Sequence, residues 1–280
     1  MLRAVVACDD FVGRREELAF LHEEFAAARD GRTRFVPIEG EAGIGKSRIA
    51  AEFLSGIGSG AVVRNGQCSE HVRTPYHPFA TILSAHRAGR DKAAFFESAL
   101  RSLTSESAVI PIAVAIEDVQ WADSASIELL QYLIANLRDA RVLFVLMMRT
   151  ENSADQAPLA ALRLSLSRAR ANVLRLHGLR RTDVRRLVER IATENQGSIA
   201  AEAVSQIESL SEGNPLFVEE LARVVLESGD LNIATNVPLS IQAMLSERLA
   251  SFSESERALL VRAAIVGQHF KGAFLARIVE

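Results

Sequence analysis

The sequence predicts an α/β protein: a parallel sheet flanked by helices, continued by a region built from helices alone. Three observations carry this. Segments 112–116 and 142–148 are uninterrupted apolar runs of strand length, as expected of strands covered on both faces of a parallel sheet. Up to residue 178, strand-like and helix-like patterns alternate, as in successive βαβ units. Beyond Gly178 only helical spacing recurs, which puts a boundary near residue 179.

Each element has a local reason. Residues 14–29 set Leu18, Leu21, Phe25 and Ala28 on one helix face, and Gly31 stops the helix. Segment 34–39 reads as a strand. Pro37 inside it has no ladder donor, which implies a bulge or a shorter strand. A helix begins at 47–54, a second strand at 61–64, and 74–78 is a turn-rich loop. Helical patterns follow at 79–86 and 92–103, a strand at 112–116, a helix at 126–137 and a strand at 142–148. Segment 173–176 is a short alternating strand. Helices are then expected at 182–194, 200–211, 215–228, 238–250 and 254–266. No internal repeat or low-complexity tract interrupts this order.

Composition narrows the function classes. The chain of 280 residues is 49% hydrophobic, enough to build cores in roughly two domains. A net charge of −3 gives no electrostatic case for nucleic acid across the chain. Arg175, Arg180, Arg181, Arg185, Arg186 and Arg190 form a local basic cluster, which reads as a solvated helix face. Cys8 and Cys68 are too few for a disulfide framework and lack metal-ligand spacing. The initial apolar run meets Asp9 and Asp10 too soon for a signal peptide. No apolar stretch approaches the roughly 20 residues of a membrane helix. A soluble, cytoplasmic protein is expected.

The chemistry begins at Gly40-Glu41-Ala42-Gly43-Ile44-Gly45-Lys46-Ser47, which fits the phosphate-binding P-loop pattern G-x-x-x-x-G-K-[ST]. Glycines let the backbone curl so that successive N–H groups face phosphate oxygens. Lys46 is placed to reach the β- and γ-phosphates and the Ser47 hydroxyl to ligate Mg²⁺. The following helix, with Arg48 in its first turn, adds its positive end.

A second motif completes the phosphate site. The apolar run 112–116 ends in Glu117-Asp118, the Walker B pattern, in which a strand aims carboxylates at the metal and the attacking water. By position Glu117 belongs to the Mg²⁺ shell and Asp118 polarises the water, although spacing alone leaves the two roles exchangeable. A short Asp in the second place favours slow hydrolysis. Without the P-loop, Glu117-Asp118 would read as a solvated strand end before a helix cap. Arg149 follows the strand 142–148, at the sheet end where ligands bind. Trp121 is expected to pack the Walker B loop, and His71 and His77 are ordinary loop residues. No N-K-x-D for guanine occurs, so adenine is the expected base.

Four segments, in order, carry a family resemblance: Phe11-Val12-Gly13-Arg14-Arg15-Glu16, the P-loop 40–47, Glu117-Asp118-Val119-Gln120-Trp121-Ala122-Asp123, and 211–221 with its Glu212-Gly213-Asn214-Pro215-Leu216-Phe217 core. The chain resembles the STAND class of AAA-type P-loop ATPases, as found in large LuxR-type transcription regulators and adenylate cyclase-linked ATPases. Its "FVGRE", "EDLHWAD" and "SEGNPLFVEEL" elements are similar to these segments. The resemblance implies that Val12, Gly13 and Arg14 lie against adenine and ribose. It implies that Pro215 sits in a helical lid that touches the base, and that Arg149 senses the γ-phosphate. It also implies three parts: a nucleotide-binding α/β domain at 1–178, a helical lid at 179–236 and the start of a winged-helix-like segment at 237–280. Relatives of this kind are usually longer and end in an output domain. The stretch 79–111 is also short against their pattern. The chain is therefore expected to be an ATPase portion or a shortened member.

The expected function is an ATP-dependent switch with slow Mg²⁺-dependent hydrolysis, in a transcription regulator. Lys46, Glu117, Asp118 and Arg149 would be catalytic. Val12, Gly13, Arg14, Gly40, Glu41, Ala42, Gly43, Ile44, Gly45, Lys46, Ser47, Arg48 and Pro215 would hold ATP or ADP, and Ser47 and Glu117 the metal. Self-association or a partner protein is expected on activation, and direct DNA binding is not. The alternative is a scaffold that holds ADP without meaningful turnover.

Overall fold

A computed structural model describes residues 11–72, 74–83, 91–150, 157–228, 239–250 and 252–266. Cys8 and positions 84–86 of the expected helix 79–86 lie outside these residues, as do 229–238 and 267–280 of the last two expected segments. The strands are β1 (Arg34–Gly40), β2 (Val62–Gln67), β3 (Ile112–Glu117), β4 (Val142–Arg149) and β5 (Leu174–Arg175). They form one parallel sheet in the order β2-β3-β4-β1-β5. The helices that join them are α1 (Arg15–Arg29), α2 (Lys46–Gly56), α3 (Phe79–Ile82), α4 (Lys92–Val109), α5 (Ser124–Asn136) and α6 (Ala157–Arg168).

Period-two alternation splits the sheet residues between two cores. Ile112, Val114, Ile116, Phe144, Leu146 and Met148 pack with α4, α5 and α6. Ala113, Ala115, Leu143, Val145 and Met147 face the other way, toward α1 and α2. On β3 that second face carries only alanines, and α2 packs close above it. Phe35 stacks on Phe144 with ring centroids 4.9 Å apart. Burial on both faces is why β3 and β4 read as unbroken apolar runs.

Pro37 causes neither a bulge nor a shortened strand. The register against β4 runs unbroken from Arg34↔Leu143 to Gly40↔Arg149. Glu39 accepts from the Leu176 N–H at 2.8 Å, so its peptide groups face β5. Alternation puts the Pro37 nitrogen on that same edge, where β5 pairs only with Ile38 and Glu39. The missing donor therefore has no ladder partner to lose.

Several boundaries differ from expectation. β2 continues through Asn65, Gly66 and Gln67, because edge pairing with β3 tolerates polar residues that carry no apolar signal. The Asp91 side chain caps α4 through the Ala93 and Ala94 N–H groups, and the helix runs on to Val109. β5 is reduced to Leu174–Arg175.

After β5 come α7 (Arg181–Glu194), α8 (Ala201–Ser211), α9 (Pro215–Ser228), α10 (Leu239–Ala250) and α11 (Glu254–Val266). Val184, Leu187, Val188 and Ile191 stripe α7 at helical spacing. They share a third core with Ala203 and Ile207 of α8, Val218, Leu221 and Val225 of α9, and Ile241 of α10. Backbone packing ties the start of this helical unit to the turn before α9. The Leu179 N–H donates to the Gly213 oxygen at 2.7 Å. A Cβ on Gly178 would fall 2.2 Å from the Glu212 oxygen, so only glycine permits that approach.

Candidate functional site

The phosphate wall starts where β1 leaves the sheet. A Cβ on Gly40 would lie 2.8 Å from Ile44 Cγ2 and 3.1 Å from the Leu176 oxygen. Gly43 (φ +76°) and Gly45 (φ +97°) adopt the left-handed conformation that the tight loop needs. α2 opens at Lys46 without a side-chain cap, so its first N–H groups are available to an anion. Lys46 Nζ donates to the Gly40 and Glu41 oxygens at 2.9 and 2.8 Å, lying over the loop.

The second motif meets the first directly. Ser47 Oγ donates to Glu117 Oε2 at 2.5 Å, joining the starts of α2 and of the loop after β3. A hydroxyl and a carboxylate are hard oxygen donors and suit Mg²⁺. Among the described residues no group of three or more His, Cys, Asp or Glu could hold a metal. Ser47 and Glu117 would supply two oxygens, with phosphate and water supplying the rest, as Mg²⁺ commonly demands.

Asp118 follows in the left-handed region at φ +53°, opening the 3₁₀ turn Val119–Trp121. Gln120 Nε2 donates to Asp118 Oδ1 at 2.8 Å. Gln120 Oε1 accepts the Arg149 backbone N–H at 3.2 Å. Trp121 packs at the edge of the core on this side. Asp123 caps α5, its Oδ1 accepting the Ser126 N–H at 2.9 Å.

The opposite wall is formed by the helical residues after Gly178, the expected lid. Asn214 Nδ2 donates to the Ala42 oxygen of the P-loop at 3.0 Å. A Cβ on Gly43 would sit 2.8 Å from Leu216 Cβ, so α9 rests on the loop itself. Pro215 starts α9 beside Gly45. Arg14 (φ +60°) is held on the sheet side: its guanidinium donates to the oxygens of Ile44 at 3.3 Å and His177 at 2.5 Å. Val12 packs against the lid core.

Between the walls lies a cavity of about 370 Å³, within the range of small-molecule sites. Arg14, Ala42 to Arg48, Asp118 and Arg149 line it on one side, with Val12 and Pro215 opposite or across the mouth. Four expected site residues are not on its wall. Gly40 is packed into the sheet, Glu41 contributes its carbonyl to Lys46, and Glu117 lies behind Ser47. Gly13 turns away, and a Cβ there would stand 3.1 Å from Asp183 Cγ in a neighbouring groove.

Sequence reasoning missed Phe11, Leu179, Leu187, Arg190, Leu216 and Glu219, which also line the cavity. Arg190 corrects the reading of the basic cluster: its side chain is 17% exposed, pairs with Glu194, and lines the cleft. Arg175, Arg180, Arg185 and Arg186 pair with Glu39, Glu16, Glu208 and Asp183, so acids offset the cluster's charge. Below the carboxylates, burial pushes the Cys68 thiol up to about 12, helped by Asp123 and Asp118.

A parallel sheet with a glycine-rich phosphate loop after β1, and carboxylates at the end of β3 on the far side of β4, has the P-loop nucleoside triphosphatase fold. Residues 10–145 match the family model described as the AAA ATPase domain. The match ends before Arg149 and the lid. Among curated proteins none matches.

Solved structures share the fold at low identity. The Aeropyrum pernix ORC2 protein, in its ADPNP–ADP complexes, aligns with a TM-score of 0.62 at 13% identity, over 98% of this chain and 82% of that one. The Walker-type ATPase of Pyrococcus abyssi aligns at 0.58 and 14%, over 96% and 88%. The Aeropyrum pernix ORC1 protein in complex with DNA aligns at 0.57 and 15%, over 97% and 78%. No helix among the described residues is long and apolar enough to cross a membrane.

Proposed function

We propose that this chain is an ATP-binding signal-transduction ATPase module, a regulatory switch whose lid reports the bound nucleotide and which hydrolyses ATP slowly. The observation that carries it is the double grip on the P-loop. Ser47 meets Glu117 from the sheet side, and Asn214 holds the Ala42 carbonyl from the lid side. Phosphates entering the loop must share it with a lid residue, so nucleotide state and lid position are linked.

Phosphoryl transfer to water requires positioning and charge neutralisation. Lys46 and the α2 N–H groups would hold the phosphates. Arg149 would offset charge on the γ-phosphate, and Asp118 would orient water. Ser47 and Glu117 would hold Mg²⁺, which when bound neutralises charge across the β- and γ-phosphates. The apolar lining from Phe11, Val12, Leu179 and Leu216 suits a base, and adenine is the base proposed. A place in a transcription regulator rests on the sequence resemblance, as does cytoplasmic location. Association with a second copy or a partner on activation is proposed on the same ground.

The test is phosphate release from Mg·ATP by the purified chain. Turnover that is lost in Lys46→Ala, with nucleotide-dependent protection of α9 from proteolysis, is expected. Turnover unchanged in Lys46→Ala would overturn the reading. A second reading, an ADP-holding scaffold without turnover, draws on the order Glu117-Asp118, which puts the shorter acid in the second place. ADP released on denaturation of a chain with no measurable hydrolysis would favour it.

A further inference from the structure

Gln120 uses both ends of its amide in one direction across the sheet edge. It is 7% exposed. Its Nε2 holds Asp118 Oδ1 at 2.8 Å and its Oε1 accepts the Arg149 N–H at 3.2 Å. Asp118 and Arg149 both line the nucleotide cavity, whereas Gln120 stands behind them. The turn geometry enforces this. Asp118 at φ +53° breaks away from β3, and the Trp121 N–H closes back on the Asp118 oxygen at 2.8 Å. The residue in the middle of that turn is thereby folded back toward the carboxylate.

The Arg149 peptide is fixed from its other side as well. Arg163 Nη2 of α6 donates to the Arg149 oxygen at 3.3 Å, and Arg163 pairs at 3.8 Å with Glu39, the residue before the P-loop. The backbone that carries the arginine is therefore clamped on both its polar groups.

We infer that Gln120 is a positioning residue for hydrolysis: it orients the Asp118 carboxylate and fixes it to the backbone of Arg149, so that the water-facing and phosphate-facing groups keep one geometry. This rests on the hydrolytic reading above. A glutamine suits the role because one planar amide offers a donor and an acceptor at opposite edges. A carboxylate that must orient a water is sensitive to small displacements, and misplacement by an ångström can cost roughly 10²-fold in rate.

The experiment uses the full chain with Mg·ATP for turnover and a fluorescent ADP analogue for affinity. Wild type against Lys46→Ala first tests the hydrolytic reading by itself. Gln120→Leu, close in shape but unable to hydrogen-bond, is then expected to lower kcat by about 10- to 100-fold. Its affinity for the analogue should stay within about threefold, because the P-loop donors are untouched. Gln120→Glu keeps the acceptor for the Arg149 N–H but sets a carboxylate against Asp118. It should lose kcat like the leucine variant while retaining slow amide exchange at Arg149. Gln120→His, whose ring can donate and accept at once, should recover part of the lost turnover.

A Gln120→Leu chain with wild-type kcat, or with affinity and kcat falling together, overturns the inference. So does a rise in kcat, which would make Gln120 a brake on Asp118. If the leucine variant does not fold, the glutamate and histidine variants decide by the same kcat-against-affinity split. A wild-type chain without turnover overturns the hydrolytic reading and the positioning role with it. Loss of Arg149 amide protection in Gln120→Leu, retained in Gln120→Glu, would still show that the amide bridge exists.

Discussion

The two walls of the nucleotide cleft are held by different kinds of force. The phosphate wall hangs from β1, β3 and β4, whose residues are almost all fully buried, and its shape is set by left-handed glycines at 43 and 45. The lid wall belongs to a smaller core. It reaches the loop through the Asn214–Ala42 hydrogen bond and the Leu216–Gly43 packing. One side is a fully packed sheet end, while the other touches the loop through a few contacts. On the proposed reading, the nucleotide would be held by the first wall and sensed by the second.

The largest expected effect removes the fixed side's charge. Lys46→Ala should abolish measurable turnover, a loss of at least roughly 10²-fold, while the melting temperature of the nucleotide-free chain changes little. Next comes Gly43→Val, which touches both walls at once. The left-handed φ and the 2.8 Å approach of Leu216 Cβ make any side chain there a clash. Nucleotide binding should fall strongly in titration calorimetry, and α9 should become open to proteolysis.

Asn214→Ala separates the walls. Losing the bond to Ala42 should cost about 1 kcal/mol of lid seating, typical of one net hydrogen bond. Amide exchange in α9 should then speed up several-fold while β3 and β4 remain protected. Equal acceleration in both regions would contradict the asymmetry. The smallest effect tests the rigidity of the sheet side. Burial raises the Cys68 thiol to about 12 against an ordinary 9.0. The native protein should therefore resist thiol alkylation at pH 8 until it unfolds. A raised value means that the folded state keeps its proton longer than the unfolded one. Any contribution to stability is fully present below about pH 9 and is lost as pH rises toward 12. An alkaline melt of wild type against Cys68→Ala checks the sign.

How much of this was legible in the sequence follows the same division. The P-loop and Glu117-Asp118 could be read because phosphate chemistry demands particular residue types at particular spacings. The strands β3 and β4 could be read because burial on both faces leaves no polar interruption. Of the opposite wall only Pro215 was named, through the family resemblance. Leu187 and Leu216 are apolar residues on helices and Leu179 lies in a connector, and nothing in such a pattern tells a cleft wall from a core. Arg190 was hidden in a run of arginines, since charge density does not show which way a helix face turns. Gln120 lay inside a recognised segment, yet its role depends on a 3₁₀ turn that folds it back on Asp118. Pro37 misled because a proline's cost depends on which edge its nitrogen faces, which only the strand order reveals.

That strand order has a consequence for how the chain is made. β1 lies between β4 and β5, both of which follow it by a long stretch of sequence. As the polypeptide leaves the ribosome, the phosphate-loop sequence emerges early, but the strand against which it is braced does not. Non-local pairing of this kind is slow and comes late. A nascent chain halted before Val142 is expected to carry the complete motif and capture no nucleotide. Capture would then begin only once β4 has joined the sheet, so the ligand itself registers that synthesis of the scaffold is finished.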